Sequence, residues 1–185
     1  MRKTMSLLSR AALFSVAMLL TVPSLAQQTA TPAAAPVPSA ILSASRIFIS
    51  NAGADAGLFP SPFSDTPDRG YNQFYAALKN QGSYQLVNDP SQADLVLELR
   101  LSAPYGPSDP SKQKGASDPL PMFRLVVYDA KTHYVLWSFT ESIDVAYLQK
   151  SHDHNFDIAL AAIVRDFLTL AGKTSSPVQP LAPAH

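Results

Sequence analysis

The sequence predicts an α+β fold of two layers, a mixed, largely antiparallel sheet of about five strands with two helices packed on one face. Three observations predict it. Leu95, Leu97, Leu99 and Leu101 alternate with polar or smaller residues, the period of a strand with one wet face. Tyr71, Phe74, Tyr75 and Leu78 recur at i, i+3, i+4 and i+7, and so do the apolar residues between Phe156 and Leu170, the period of a helix with one buried face. Met122–Tyr128 and Tyr134–Ile143 flank Asp129-Ala130-Lys131-Thr132, which has the length and composition of a hairpin turn.

Taken in order, Arg46-Ile47-Phe48-Ile49-Ser50 is a β-branched and aromatic run, expected to be a first strand that ends in a turn at Asn51-Ala52-Gly53. Residues 54–69, with Pro60, Pro62 and Pro67, read as a loop. Asp68 is placed to cap the first helix and Gly82 to stop it. Tyr84-Gln85-Leu86-Val87 is a second short strand, broken by Asp89-Pro90-Ser91-Gln92. The third strand, Asp94 to Leu101, turns its leucines one way and Asp94, Glu98 and Arg100 the other. A long exposed loop is expected over residues 104–121, then the hairpin. Phe156, Leu160, Ile163, Phe167 and Leu170 form the closing helix, with Gly172 as its stop.

The ends of the chain read differently. Arg2, Lys3 and Arg10 precede a short apolar core over residues 11–22, then Pro23 and Ser24-Leu25-Ala26, the plan of a signal peptide over residues 1–26 cleaved before Gln27. The core is shorter than the roughly 20 apolar residues that a membrane-spanning helix needs, so no transmembrane segment is expected in the mature chain. Residues 27–42 are rich in Ala, Pro, Thr and Gln and residues 173–185 hold Pro177, Pro180 and Pro183, so a disordered linker and tail are expected around one domain, residues 43–172. With no cysteine anywhere, disulfides, thiol catalysis and a lipoprotein anchor are excluded. Loss of the first 26 residues removes three of the 14 basic residues and none of the 14 acidic ones, leaving 11 − 14 = −3. A mildly acidic chain with scattered charge lacks the basic footprint that nucleic acid requires. The expected location is the periplasm or the medium.

Ala93-Asp94-Leu95-Val96-Leu97-Glu98, then Leu125-Val126-Val127-Tyr128-Asp129-Ala130-Lys131-Thr132 and Val135-Leu136-Trp137, resemble small exported bacterial domains of unknown function. The build is similar to the amino-terminal domain of TolB and to periplasmic CsgG-like domains. These are fold motifs: Asp129 and Thr132 can bond the turn backbone, and Trp137 is a large core filler. Where such hairpins often carry glycine, this chain has His133. The resemblance implies a cell-envelope protein that works by contact, and it carries over no catalytic residue.

Candidate sites are few. His152, Asp153 and His154 form the densest group of metal-ligating side chains, a set suited to zinc, copper or nickel. On a helix, however, residues two apart point about 200° apart, since each residue turns the helix by about 100°. The other reading is a helix start in which Ser151, Asp153 or Asn155 caps free amides. Asp94 and Glu98 are separated by roughly 13 Å along a strand at a rise of ~3.3 Å per residue, too far for paired acid catalysis. Glu141 continues the alternation of Val135, Trp137 and Phe139 and points toward the core unless a bulge rotates it outward. Nucleophile elbows, zinc-protease and phosphate-loop patterns are missing from the sequence. Gly53-Ala54-Asp55-Ala56-Gly57 follows the first strand where an α/β fold can bind a ligand, but two glycines at that spacing read rather as a flexible turn.

The sequence therefore points to a non-enzymatic, exported interaction module without a cofactor. Its envelope protein partner is expected on the open sheet face, a sheet edge or the 104–121 loop, with Asp94, Glu98 and Arg100 as contact residues. The competing reading is a metal- or small-molecule-binding protein, possibly an enzyme, centred on His152, Asp153 and His154. A third is a structural subunit of a larger complex.

Overall fold

The computed structural model describes residues 35–107, 111 and 118–173. The expected signal peptide, most of the linker and all but Lys173 of the tail lie outside the described residues. The fold is the predicted α+β type. Five strands, β1 (Arg46–Ala54), β2 (Gln85–Leu86), β3 (Leu95–Ser102), β4 (Met122–Asp129) and β5 (Val135–Ser142), form one sheet in the order β2-β1-β3-β4-β5. β1 runs parallel to β2 and β3, whereas β3, β4 and β5 are antiparallel neighbours. Helix α1 (Ser39–Ser43) leads into β1, α2 (Arg69–Gln81) connects β1 to β2, and α3 (Gln149–Leu170) closes the chain.

The alternation on β3 sorts the sheet into two faces. Leu95, Leu97, Leu99 and Leu101 are all buried on the face that α2 and α3 cover. Ile47 and Ile49 on β1 and Phe123, Leu125 and Val127 on β4 share that face, and Phe74 and Leu78 of α2 and Phe156, Ile163 and Phe167 of α3 close on it. Removing side chains of this size from water contributes about 1.5–3 kcal/mol apiece, and this core holds the domain without disulfides. Gly70 lets α2 approach: a Cβ there would stand 3.0 Å from the ring of Phe123.

Several elements depart from expectation for identifiable reasons. β1 does not turn at Asn51-Ala52-Gly53 but runs on to Ala54. Its register against β3 shifts between Asn51 and Ala54, where Gly53 has φ +76° and the Asn51 side chain accepts from its N–H at 2.9 Å. The irregularity keeps the strand paired past a position that looks like a turn. Asp68 does not cap α2 with its side chain, because its carboxylate accepts from Asn51 Nδ2 at 2.8 Å instead. The proline-rich stretch after β1 is more than a surface loop, since Leu58 and Phe63 are in the core and Phe59 packs on Phe156. Residues 39–42, expected in the linker, belong to α1, whose Ile41 is fully buried. Finally, α3 begins at Gln149, with Leu148 ahead of it and no side-chain cap. Ser151, Asp153 and Asn155 therefore lie inside the helix rather than capping it.

The hairpin is as predicted. Asp129 Oδ1 accepts from the N–H groups of Lys131 and Thr132 at 2.9 and 2.8 Å, and Thr132 Oγ1 accepts from Tyr134 N–H at 3.4 Å. His133 takes φ +61°, the left-handed conformation that explains why glycine suits this position. Among the described residues no helix is long and apolar enough to cross a membrane.

Candidate functional site

Because β1 and β3 are parallel neighbours while β1 connects to β2 on its other side, their carboxyl ends open at a point where the chain leaves in different directions, the place where α/β sheets form clefts. A cleft of about 460 Å³ lies there. Its walls come from every connection that meets at this end: Asp55 to Leu58 after β1, Pro62, Ala103 and Tyr105 after β3, Pro119 and Pro121 before β4, and Val145 after β5. Gly57, at φ +86°, makes the tight turn that brings Leu58 back to the cleft.

The two sides of the long 104–121 loop are joined at its base. Leu120 N–H donates to Pro104 O at 2.8 Å and Gly106 N–H to Asp118 O at 2.9 Å, with a bridge between Tyr105 and Pro119. This short ribbon holds Tyr105 and Pro119 as a fixed wall. Tyr105 is 78% exposed and Val145 67% exposed, large apolar surface left in water at the cleft mouth.

Among the described residues Asp55 is the one carboxylate of the lining, and it is fully engaged. Its Oδ2 accepts from Ala103 N–H at 2.9 Å and its Oδ1 from Arg100 Nη2 at 2.8 Å, while its own N–H donates to Leu101 O at 2.9 Å. The Ala103 amide, then Arg100, hold its carboxyl below the usual carboxylate range. Asp55 staples β1 to β3 and offers the cleft no free acid or base.

Of the residues singled out from sequence, Asp94 sits at the opposite end of β3. Its Oδ2 accepts from the N–H groups of Ser45 and Arg46 and its Oδ1 from Arg46 Nη2 at 3.0 Å, and the Arg46 and Ser45 amides hold it well below the usual range. It fastens the start of β1. Glu98 lies half-buried on the open face between Ser50 and Val126, and Arg100 lies opposite Arg124 on the same face while reaching Asp55.

His152, Asp153 and His154 are consecutive on α3 and do not converge. His152 stands edge-on to Phe63, with its Nδ1 buried and unpartnered, and His154 is exposed. Asp153 binds Arg69 and accepts from Ser64 N–H at 2.9 Å. Burial pushes its carboxyl up, but Ser64 and Arg69 outweigh this and hold it low. Arg69 is 8% exposed, also pairs with Asp157 at 2.7 Å, and lies 4.3 Å over the ring of Phe156. Among the described residues no group of three or more His, Cys, Asp or Glu could hold a metal ion. Glu141 does face the helix layer with Trp137 and Phe139. Burial and then the neighbouring Asp166 push its carboxyl up.

No protein-family model and no curated protein matches this chain. Solved structures that are similar to it include a DUF4136 family protein from Bacteroides thetaiotaomicron, 15% identical over 72% of this chain and 90% of that one, TM-score 0.44. The PelC dodecamer from Paraburkholderia phytofirmans is 14% identical over 69% and 86%, TM-score 0.42. A lipoprotein from Neisseria meningitidis is 15% identical over 68% and 99%, TM-score 0.34. At these TM-scores the likenesses carry no argument about this chain. The specific similarity to TolB and CsgG-like domains expected from the sequence is not borne out by these structures.

Proposed function

We propose that this chain is an exported cell-envelope protein that acts as a non-catalytic interaction module and holds a protein partner in the cleft at the carboxyl ends of β1 and β3. The observation that carries this reading is the character of the lining. Leu58, Pro62, Tyr105, Pro119, Pro121 and Val145 supply apolar surface, and Asp55, the one carboxylate among the described lining residues, is already bonded on both oxygens. Such a lining gains free energy by removing apolar surface of a partner from water, and its described residues offer no pair of groups for proton transfer. Export rests on the signal-peptide plan of residues 1–26, and a contact role fits the motif resemblance. Arg100 links the cleft to the open sheet face, where Glu98 and Arg100 extend the proposed contact surface. A metal site at His152, Asp153 and His154 has no comparable convergence behind it.

The test is photo-crosslinking in the native envelope, with a photoreactive aromatic residue placed at Tyr105 and, as control, at the exposed Lys79 of α2. A discrete protein adduct from position 105 and none from position 79 is the expected result. Equal adducts from both positions, or none from position 105, would overturn the assignment of the cleft.

A further inference from the structure

The hydrogen-bonding groups of the cleft at the carboxyl ends of β1 and β3 are unevenly spent. On the acceptor side, the Asp55 carboxylate takes Ala103 N–H and Arg100 Nη2. Leu58 O accepts from Phe63 N–H at 3.2 Å and Pro121 O from Ile143 N–H at 2.8 Å. On the donor side, the N–H groups of Ala56, Gly57 and Leu58 and the Tyr105 hydroxyl donate to no group among the described residues. Leu58 is 5% exposed, so little water reaches its amide, and a buried N–H without an acceptor is a costly group that an occupant can satisfy.

This imbalance sorts the occupants. An ordinary extended peptide brings an N–H at every residue into a lining whose carboxylate and carbonyls are already engaged, and each N–H buried without an acceptor weakens binding. Strand addition is closed to it as well, since the two chains of the wall pair with each other, Leu120 N–H on Pro104 O and Gly106 N–H on Asp118 O. An acyl chain brings no acceptor and leaves the Leu58 amide unsatisfied. Proline fits both halves of the lining, because it carries a carbonyl and an apolar ring but no N–H. In a polyproline II helix those carbonyls are unpaired and recur at about three per turn. Such helices dock on exposed aromatic rings, and Tyr105, 78% exposed beside Pro119, supplies one.

We infer that the cleft takes a proline-rich segment of its protein partner in the polyproline II conformation. The amides of residues 56–58 and the Tyr105 hydroxyl donate to carbonyls of that segment, and Pro62, Tyr105, Pro119 and Val145 pack on its rings. The segment is uncharged where it meets the cleft, because the one carboxylate of the described lining is already paired. Its helix forms before binding, so little ordering entropy is lost on docking. This inference rests on the cleft reading above and names the chemistry of the partner.

Titration of the isotope-labelled chain, purified from the producing cell, with blocked octaproline tests it through the amide spectrum. The expected result is a saturable shift of the Ala56, Gly57 and Leu58 signals. Tyr105→Phe, which removes only the hydroxyl, is expected to weaken binding by roughly threefold to tenfold, and Tyr105→Ala by more. Melting stays unchanged in both, since Tyr105 is exposed. A blocked octamer of alternating alanine and threonine, which carries an N–H at every residue, and decanoate are expected to leave these signals in place. Octaproline that does not shift the three amides, an equal response to the alanine–threonine octamer or to decanoate, or undiminished binding by Tyr105→Ala would overturn the inference. A discrete envelope adduct from position 105 beside inert octaproline would overturn the proline assignment alone, because the cleft reading falls only with the adduct itself.

Discussion

The Asp55 carboxylate receives Arg100 Nη2 at 2.8 Å across the ends of two parallel strands, and the same carboxylate holds the Ala103 amide at 2.9 Å. Asp55→Ala leaves that amide and the guanidinium without their acceptor at the point where the cleft wall begins. A loss of about 1–2 kcal/mol is expected in urea unfolding, with Arg100→Ala losing less because the Arg100 side chain is 52% exposed. Equal losses from the two variants would show that the ion pair, and not the Ala103 amide, carries the staple.

Gly70 lies on α2 against a fully buried ring. Gly→Ala inside a helix ordinarily gains about 1 kcal/mol, but here the new Cβ would stand 3.0 Å from Phe123 Cε1 in a packed core. Overpacking of this kind costs about 1–3 kcal/mol, so Gly70→Ala is expected to lower the melting temperature. Combining it with Phe123→Leu should recover part of the loss, which a double-mutant cycle measures.

His133 holds φ +61° in the β4–β5 turn. A residue with a Cβ pays about 1 kcal/mol in that conformation and glycine does not. His133→Gly is therefore expected to raise stability by several tenths of a kcal/mol to about 1 kcal/mol, read as a higher melting temperature. No gain would mean that the imidazole makes a compensating contact.

Stability should fall in acid. The folded pKa of Asp94 is depressed by the Arg46 and Ser45 amides and the Arg46 guanidinium, and those of Asp55 and Asp153 lie low as well. Such groups contribute stability that is present above the unfolded value of about 3.9 and is lost as pH falls through the folded value. Glu141 has the opposite sign: its raised folded pKa disfavours the folded state increasingly as pH rises above about 4.3. Asp94→Ala is expected to cost about 2 kcal/mol near neutrality and much less at the acid limit of folding. Denaturant midpoints across the acid range check this, and a loss independent of pH would contradict it.

Much of the fold was legible because it rests on two periods. The leucines of β3 and the aromatic stripe of α2 face the core as their spacing requires, and the hairpin follows from Asp129 and Thr132. The misread elements each depend on a partner distant in sequence. Asp68 binds Asn51 rather than capping its own helix, and Asp153 binds Ser64 and Arg69 from within a helix rather than starting it. Ile41 was assigned to a linker because a single buried side chain in an Ala- and Pro-rich stretch leaves no periodic signal. Two pieces of the cleft, the 53–57 loop and the 104–121 loop, were legible in the sequence, but their convergence was not. Tyr105, Pro119, Pro121 and Val145 come together only when the ends of four strands do, which no spacing along the chain encodes.

The most direct measurement of the central claim is the yield of the Tyr105 photo-adduct in the native envelope when the opposite wall is changed by Val145→Asp. Val145 is 67% exposed, so the substitution leaves the core intact and places a charge in an apolar cleft. The expected result is a loss of adduct of about tenfold or more, equivalent to ~1.4 kcal/mol of binding, with unchanged melting. An undiminished adduct from a folded Val145→Asp chain would contradict the claim that the partner sits in the cleft.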